Sequence, residues 1–544
     1  MGTYINIEKG SDYDRTGVKL RSNIPNEATI VNIRDDGIKG SLVQLNLMNL
    51  PNVTNLDISN LKTANVQSIS YSHSPKLVNI STFDASNVLN ADYMFYNCPM
   101  LRDVSDINLA KANSIHGMFW GCNSLSSAPN LITNNVKDMG MMFDTCRNLT
   151  SVPNYNTSNV TNMYLMFGDC YTLRTVPNFD TSNVTDMSYM FYRDNALGSI
   201  PNFDTSNVIT MAYMFNNVKA SSFPNFNTNK VVNMSLMFNN CTSVNRAPYL
   251  DMSNVRDASW MFQLCTSLQS AYTLTNYNTP ELTNVAGMFW GCSCMWFYAP
   301  NLNTAKVTNM YGMFCYCRNL FTCPDYDTSN VTNMSNMFRY STALTTIPNF
   351  NTSKVTNMSR MFEQAFKLNN IPNLDTSNVT NMQNMFYQTK IIDCPEFNTS
   401  KVTDMSGMFE LSSIQNIPNF DTSNVTNMAR MFSYTSFVTV YPNLNMNKVT
   451  NATSMFSQCY NLVDISQLNL PNVRDITKMF AYSNNLSNTS IQNIINMCLN
   501  SNVTNSTLMN LNNINQYSPL YQTIFDNSYY QNRWSELTAA GWKY

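Results

Sequence analysis

Charge is scarce in this chain. Lys, Arg, Asp and Glu make up 12% of 544 residues, and 32 cations nearly balance 34 anions. No basic run or basic-aromatic stripe is present, so the electrostatic footprint of a nucleic-acid binder is missing. Glycine is rare as well, with 15 in the whole chain. Its scarcity excludes P-loop and dinucleotide-binding patterns and argues against glycine-turned calcium loops. The two histidines, His73 and His116, build no Ser-His-Asp or Cys-His set. No catalytic residue, metal or cofactor is therefore assigned. No run of about 18 apolar residues occurs, so no helical membrane span is expected. The opening residues MGTYINIEKGSDYDRTG carry neither an apolar leader core nor a cleavage pattern. This start predicts a protein made in a cytoplasm, or one whose export leader has been removed.

What the chain has in excess is asparagine. The 85 Asn residues, with many Ser and Thr, mean that its polar surface is built from amides and hydroxyls rather than charges. The second excess is repetition. The dipeptide Met-Phe occurs 17 times between Met94 and Met479, mostly 24 residues apart, with a few intervals of 23, one of 25 and one of 27. So strict a period predicts stacked units.

Each unit has the same apolar slots. Around Met190 they are Val184, Met187, Met190, Phe191, Leu197, Ile200 and Phe203. Spacing near three residues fits neither strand alternation nor a useful amphipathic helix. It fits a chain winding around a narrow core, each coil covering the one before it. At about 4.8 Å per coil, 17 coils would make a rod roughly 80 Å long. The polar slots repeat too: DTSN or NTSK precedes the Val, and Asn or Asp precedes the Met of VTNM, as at Asn162, Asp186, Asn233, Asn309, Asn333 and Asn357. These side chains are expected to satisfy turn backbone locally and to bond to their equivalents in neighbouring coils.

The stretches FDTSNVTDMSYMFYRDNAL (179–197), DTSNVTNMSNMFRYSTAL (327–344) and DTSNVTNMARMFSYTSFV (421–438) resemble the BspA-type surface-protein repeat. This is the DUF285 family of mycoplasma and Gram-positive bacterial proteins, often grouped with leucine-rich repeats. The resemblance covers about residues 83 to 486. It implies a leucine-rich-like solenoid on a surface, with an adhesion or recognition role and no catalysis. Family members also occur in bacteriophages, and this chain shows neither a lipobox at its start nor a wall-sorting signal at its end.

The expected fold is thus a leucine-rich-repeat-like solenoid of coils of about 24 residues, each with a short parallel strand and a turn or short helix. Residues 1–45 are read as a non-repeat segment, a cap or an attachment to other virion or surface proteins. Residues 46–82 are degenerate first coils, 83–486 the solenoid of about 17 repeats, and 487–544 a helical C-terminal cap. That cap starts at Thr489 or Ser490 and covers the last coil with Trp534, Leu537 and Trp542.

Nine of the 14 cysteines share one slot: Cys98, Cys122, Cys146, Cys170, Cys241, Cys265, Cys292, Cys317 and Cys459. Elsewhere that slot holds Ala, Ser, Thr or Val, which marks it as small and buried. Asp194 occupies it once, and the cost of a lone buried carboxylate predicts that the turn swings outward there. Cys292, Cys294, Cys315 and Cys317 form two Cys-x-Cys pairs one coil apart, a spacing unlike the usual zinc sites.

One region departs from the consensus. After the 27-residue interval the chain reads MFWGCSCMWFYAPNLN, and the next coil adds Phe321. Trp290, Trp296, Phe297, Tyr298 and Phe321 are the candidate ligand platform, with Phe321 expected beside Trp296 or Phe297. The functional expectation is a non-enzymatic recognition protein at a virion or extracellular surface, binding host-surface protein or glycan. A virion component is preferred, a bacterial adhesin without its leader comes next, and a structural spacer is the third reading.

Overall fold

The computed structural model describes residues 3–6, 13–14, 17–20, 28–34, 44–61, 63–269, 278–295, 299–465, 467–483, 485–500, 531–532 and 535. The chain divides into two compact units, residues 1–268 with 277–281 and residues 269–276 with 282–544. Each unit is a stack of coils built on the same rules.

Strands occur near the start of the first unit. In chain order they are β1 (Thr3–Asn6), β2 (Tyr13–Asp14), β3 (Gly17–Leu20), β4 (Ile30–Arg34), β5 (Gln44–Asn46), β6 (Asn55–Asn60), β7 (Ser68–Ser70), β8 (Asn79–Ile80), β9 (Ile107–Asn108) and β10 (Leu131–Ile132). They form one sheet in the order β1-β4-β6-β8, a second in the order β2-β3-β5-β7, and the pair β10-β9. All pairings are parallel except the β2-β3 hairpin. Residues 1–45 therefore supply strands to the stack, since β1 and β4 align with β6 through Thr3↔Val31 and Val31↔Leu56.

Beyond Ile132 the expected strand of each coil narrows, among the described residues, to single parallel bridges such as Asn333↔Asn357 and Asn357↔Asn381. The reason is backbone conformation. In each coil the residue before the Met and the second residue after the Phe adopt positive φ, as at Asn336 (59°), Tyr340 (59°), Arg360 (56°) and Gln364 (59°). Left-handed residues fold the segment into overlapping turns, which a regular strand cannot contain.

These turns leave no N–H wasted. In the coil around Met337, the N–H groups of Met334, Asn336, Phe338 and Tyr340 donate to carbonyls of the next coil at 2.7–3.1 Å, from Asn357 to Glu363. Those of Met337, Arg339 and Ser341 close turns within the coil, and that of Ser335 is capped by Asn333 Oδ1 at 3.0 Å. We call the side-chain surface of this segment the ladder face. Its inter-coil bonds offset the roughly 1–2 kcal/mol that each left-handed non-glycine residue costs.

The core lies behind it. Val184, Met187, Met190, Phe191, Leu197 and Phe203 are buried, while Ile200 is half-buried. The Met-Phe phenylalanines stack along each unit, for example Phe143 on Phe167 at 5.8 Å and 6° and Phe362 on Phe386 at 5.8 Å and 10°. Outside the ladder rows, hydroxyls and amides also tie coils together. Thr181 Oγ1 donates to the Asp204 carbonyl at 2.8 Å, and Asn183 Nδ2 to the Ser158 carbonyl at 2.8 Å. Where Lys replaces that Asn, it reaches the Asn of the coil before, as in Lys354 to Asn330 at 2.6 Å. The Asn or Asp before the Met mostly closes a turn in its own coil; only some reach their equivalents, as Asn162 does to Asp138 at 2.9 Å.

A helix, α1 (Asn488–Asn500), follows the last coil. Its N-cap is Ser487 rather than Thr489 or Ser490, because Ser487 Oγ accepts the Ser490 N–H at 3.2 Å and its carbonyl accepts the Ile491 N–H at 2.9 Å. Ser490 instead joins helix to coil, donating to the Val463 carbonyl at 3.1 Å. Trp534, Leu537 and Trp542 lie outside the described residues.

Candidate recognition face

The ladder face holds the chain's variable slots. Its rows are the residue before the Met and the two residues after the Phe, and they contain Tyr, Trp, Arg, Glu, Gln, Asn, Ser and Gly in no fixed order. Variable exposed residues also follow the small slot, as at Met100, Phe366, Phe437 and Tyr460, and some ladder-row residues such as Cys315 and Glu363 are buried between coils.

In the first unit the rows carry an aromatic patch. Tyr96 contacts Trp120 at 4.5 Å and His73 at 4.9 Å, and Tyr93 meets His116 at 5.5 Å. Tyr93 lies on Gly117, where a Cβ would come within 2.6 Å of its ring. Further along, Tyr189 and Tyr213 stack at 4.3 Å and 9°. In the second unit Trp290 lies on Gly312, 2.6 Å from where a Cβ would sit. Its ring neighbours are Tyr311 at 6.1 Å and Tyr316 at 5.9 Å. Tyr316 in turn stacks on Tyr340 at 4.3 Å and 7°. Both Trp residues stand in the hexapeptide GMFWGC, at 117–122 and 287–292. Gly117, Gly121, Gly287 and Gly291 take positive φ on either side of the Trp, a backbone region that costs glycine nothing.

Past Tyr340 the face becomes charged. Arg339 Nη2 donates to Glu363 Oε1 at 2.8 Å, and the guanidinium lies 5.0 Å over the Tyr340 ring. Arg360 Nε is 3.8 Å from Glu363 Oε2, and Arg430 Nε is 3.4 Å from Glu410 Oε2. With Gln364, Asn384 and Tyr387 these residues line an open groove of about 390 Å3. Burial raises the Glu410 carboxyl above the usual carboxylate range, against the lowering effect of Arg430.

Of the platform expected from sequence, Trp290 lies on the ladder face. Phe321 is 37% exposed and sits in another row, after the Leu slot, with Lys367 Nζ 6.0 Å from its ring. Trp296, Phe297 and Tyr298, and hence their expected meeting with Phe321, fall outside the described residues.

The expectation that Asp194 turns outward is wrong. Asp194 is fully buried, and its Oδ1 accepts the Cys170 N–H at 2.8 Å while Oδ2 has no partner. Backbone hydrogen bonding holds the coil in register despite the carboxyl, and burial raises its pKa far above the ordinary value, helped by Asp169 and Asp144. Asp144 is likewise pushed up to about 7, chiefly by burial and then by Asp169.

The nine slot cysteines are buried free thiols. The slot selects more than size. Cys146 Sγ donates to the Phe119 carbonyl of the preceding coil at 3.1 Å, and Ser341 Oγ makes the same bond to Phe314 at 2.8 Å. Burial pushes the Cys98 and Cys265 thiols up to about 12. Among the described residues no cluster of His, Cys, Asp or Glu is arranged to hold a metal, and no helix is long and apolar enough to cross a membrane.

Stacked coils with a buried phenylalanine column and a variable ladder face define a repeat protein of the leucine-rich kind, a fold typical of non-enzymatic binding proteins. The family model described as "Mycoplasma protein of unknown function, DUF285" matches residues 46–132, 126–225, 172–273, 219–322, 317–414 and 390–494. The chain belongs to this family of BspA-like surface repeats. Solved structures similar to it include a leucine-rich repeat protein from Bacteroides ovatus, at 14% identity over 75% of this chain and 97% of that one, with a TM-score of 0.32. A leucine-rich cell surface protein from Faecalibacterium prausnitzii is 14% identical over 74% of this chain and 82% of that one, with a TM-score of 0.25. No curated protein matches the chain.

Proposed function

We propose that this is a non-catalytic adhesion or recognition protein displayed at a surface, which binds protein or glycan on another cell through its ladder face. The observation that carries this reading is the segregation of variability. Core slots repeat because each coil must fit its neighbours, whereas the ladder rows vary and gather Tyr, Trp, Arg, Asn, Ser and Gly. That mixture supplies rigid amphipathic contact area and adaptable hydrogen bonding, and it typifies interaction hot spots and paratopes. The aromatic segment Trp296, Phe297 and Tyr298, with Phe321, is proposed as a second contact region. A bacterial cell surface fits the family; display on a virion draws no support from the family match.

The test is surface binding by the whole chain. Trp120→Ala and Trp290→Ala, and separately Trp296→Ala with Phe297→Ala, should each reduce binding to host-cell surface material with unchanged circular dichroism and melting. Full binding by all three variants would overturn the reading in favour of a spacer.

A further inference from the structure

The groove after Tyr340 points to a ligand of defined charge and spacing. Its two most accessible cations, Arg360 and Arg430, are 40% and 56% exposed at the side chain. Each is turned by its Nε toward a groove carboxylate, Glu363 or Glu410. Among the described residues, neither guanidinium makes a hydrogen bond through its terminal nitrogens. An Arg oriented at Nε and open at both Nη atoms is prepared for bidentate capture of an oxyanion.

Between them the floor is low. Both arginines occupy the row before the Met, and the two intervening coils place Asn384 and Gly407 there. A Cβ on Gly407 would collide with Asn384 Oδ1 at 1.9 Å, so this row can hold only glycine at that point while Asn384 keeps its position. Three arginines face two glutamates, leaving the groove with a net positive charge.

Spacing selects the ligand. The bridges Asn357↔Asn381, Asn381↔Asp404 and Asp404↔Asn427 set Arg360 and Arg430 three coil steps apart, roughly 14 Å at about 4.8 Å per step. In an extended peptide, side chains at positions i and i+4 share a face and lie about 13 Å apart. We infer that the groove binds an extended acidic peptide segment whose carboxylates, four residues apart, are received by Arg360 and Arg430. Gln364, Asn384 and Tyr387 line the floor between them and offer hydrogen-bond groups to the peptide backbone. A protein ligand is favoured over a sulfated glycan because the Tyr340 ring in the groove is already stacked by Tyr316 and by the Arg339 guanidinium, which leaves little open ring face for a sugar to stack on.

This inference rests on the ladder face being the recognition face, and the experiment separates the two. The probe is a fluorescein-labelled pentapeptide, Glu-Thr-Val-Thr-Glu, with its Gln-Thr-Val-Thr-Gln counterpart, titrated by anisotropy into the full chain at low salt. Binding should weaken about tenfold or more for Arg360→Gln or Arg430→Gln, further for the pair, and similarly for the Gln peptide. Lys354→Gln, which does not line the groove, should leave it unchanged. Melting of each variant is measured alongside; Arg430 is the more exposed, so its variant remains decisive if Arg360→Gln unfolds. Equal binding of the two peptides, or full binding by the double variant, overturns the proposal. So does binding of a heparin-derived oligosaccharide by a chain that ignores the acidic peptide. If the peptide fails while Trp120→Ala and Trp290→Ala still lose surface binding, the recognition reading stands and this assignment falls.

Discussion

Two of the buried carboxylates, Glu363 in one unit and Asp194 in the other, are accommodated in opposite ways. Glu363 lies beneath the ladder face with Arg339 at 2.8 Å and Arg360 at 3.8 Å. Asp194 lies in the core slot with one backbone N–H and no cation. The first is met by guanidinium groups from its own coil and from the one before it, whereas burial pushes the carboxyl of the second well above the ordinary carboxylate range. The contrast teaches that the neighbours decide the outcome, since Asp144 stands in the same ladder row as Glu363 yet faces Asp169 and is pushed up to about 7. A ladder-row residue has rows above and below from which a guanidinium can reach it. A core-slot residue has only backbone and thiols, here Cys170 and its neighbours, so protonation is the remaining way to avoid a buried charge.

The largest break in this comparison should come from Arg339→Leu. It strands much of the Glu363 charge and should destabilise the second unit by about 3 kcal/mol in denaturant unfolding. Arg339→Leu with Glu363→Leu should recover most of that loss, since the charge then goes as well. A full loss in the double variant would mean that packing, not charge, explains the single one.

Asp194→Asn should act the other way. Asn keeps the acceptor for the Cys170 N–H and cannot ionise. A carboxyl whose folded pKa is raised stabilises the fold fully only below its unfolded pKa; that contribution falls as pH rises toward the folded value. Asp144, raised to about 7, adds to the slope between about pH 4 and pH 7. Asp194→Asn should therefore raise stability at pH 7 by more than about 1 kcal/mol, because each tenfold change in proton affinity on folding is worth about 1.4 kcal/mol. It should also flatten the fall in melting temperature with pH. An unchanged slope would show that Asp194 is ionised in the fold.

A smaller effect sharpens the view of the slot itself. Cys146→Val fits, as Val218 does, but cannot donate to Phe119. It should cost about 1 kcal/mol, more than Cys146→Ser, which keeps a donor. Reductant should leave melting unchanged, and the buried thiols should react only on unfolding.

Much of this was legible in the sequence, because stacking writes itself as a period. Val184, Met187, Met190 and Phe191 could be assigned to the core from spacing alone. The ladder could not be read, for two physical reasons. Left-handed positions usually advertise themselves as Gly or Asn, but here Tyr340, Arg360, Gln388 and Lys478 take them too, since inter-coil bonds override local preference. And residues free of stacking constraints carry no repeat signal, so Arg360, Glu363 and Arg430 looked like noise around a consensus. The repeated GMFWGC was a visible clue to the platforms. Asp194 departs from the expectation because the slot offers a hydrogen bond as well as a small space.

The central claim is that one coil divides its labour: inward slots hold the stack and ladder slots, apart from the Arg339–Glu363 pair that ties two coils together, are free to serve a ligand. Denaturant unfolding of two variants of the Met337 coil tests it most directly. Phe338→Ala, inside, should cost about 3–5 kcal/mol. Tyr340→Asn, two residues on and compatible with positive φ, should stay within about 1 kcal/mol of the parent. Comparable losses from both substitutions would contradict the division, because the ladder face would then be part of what holds the coils together.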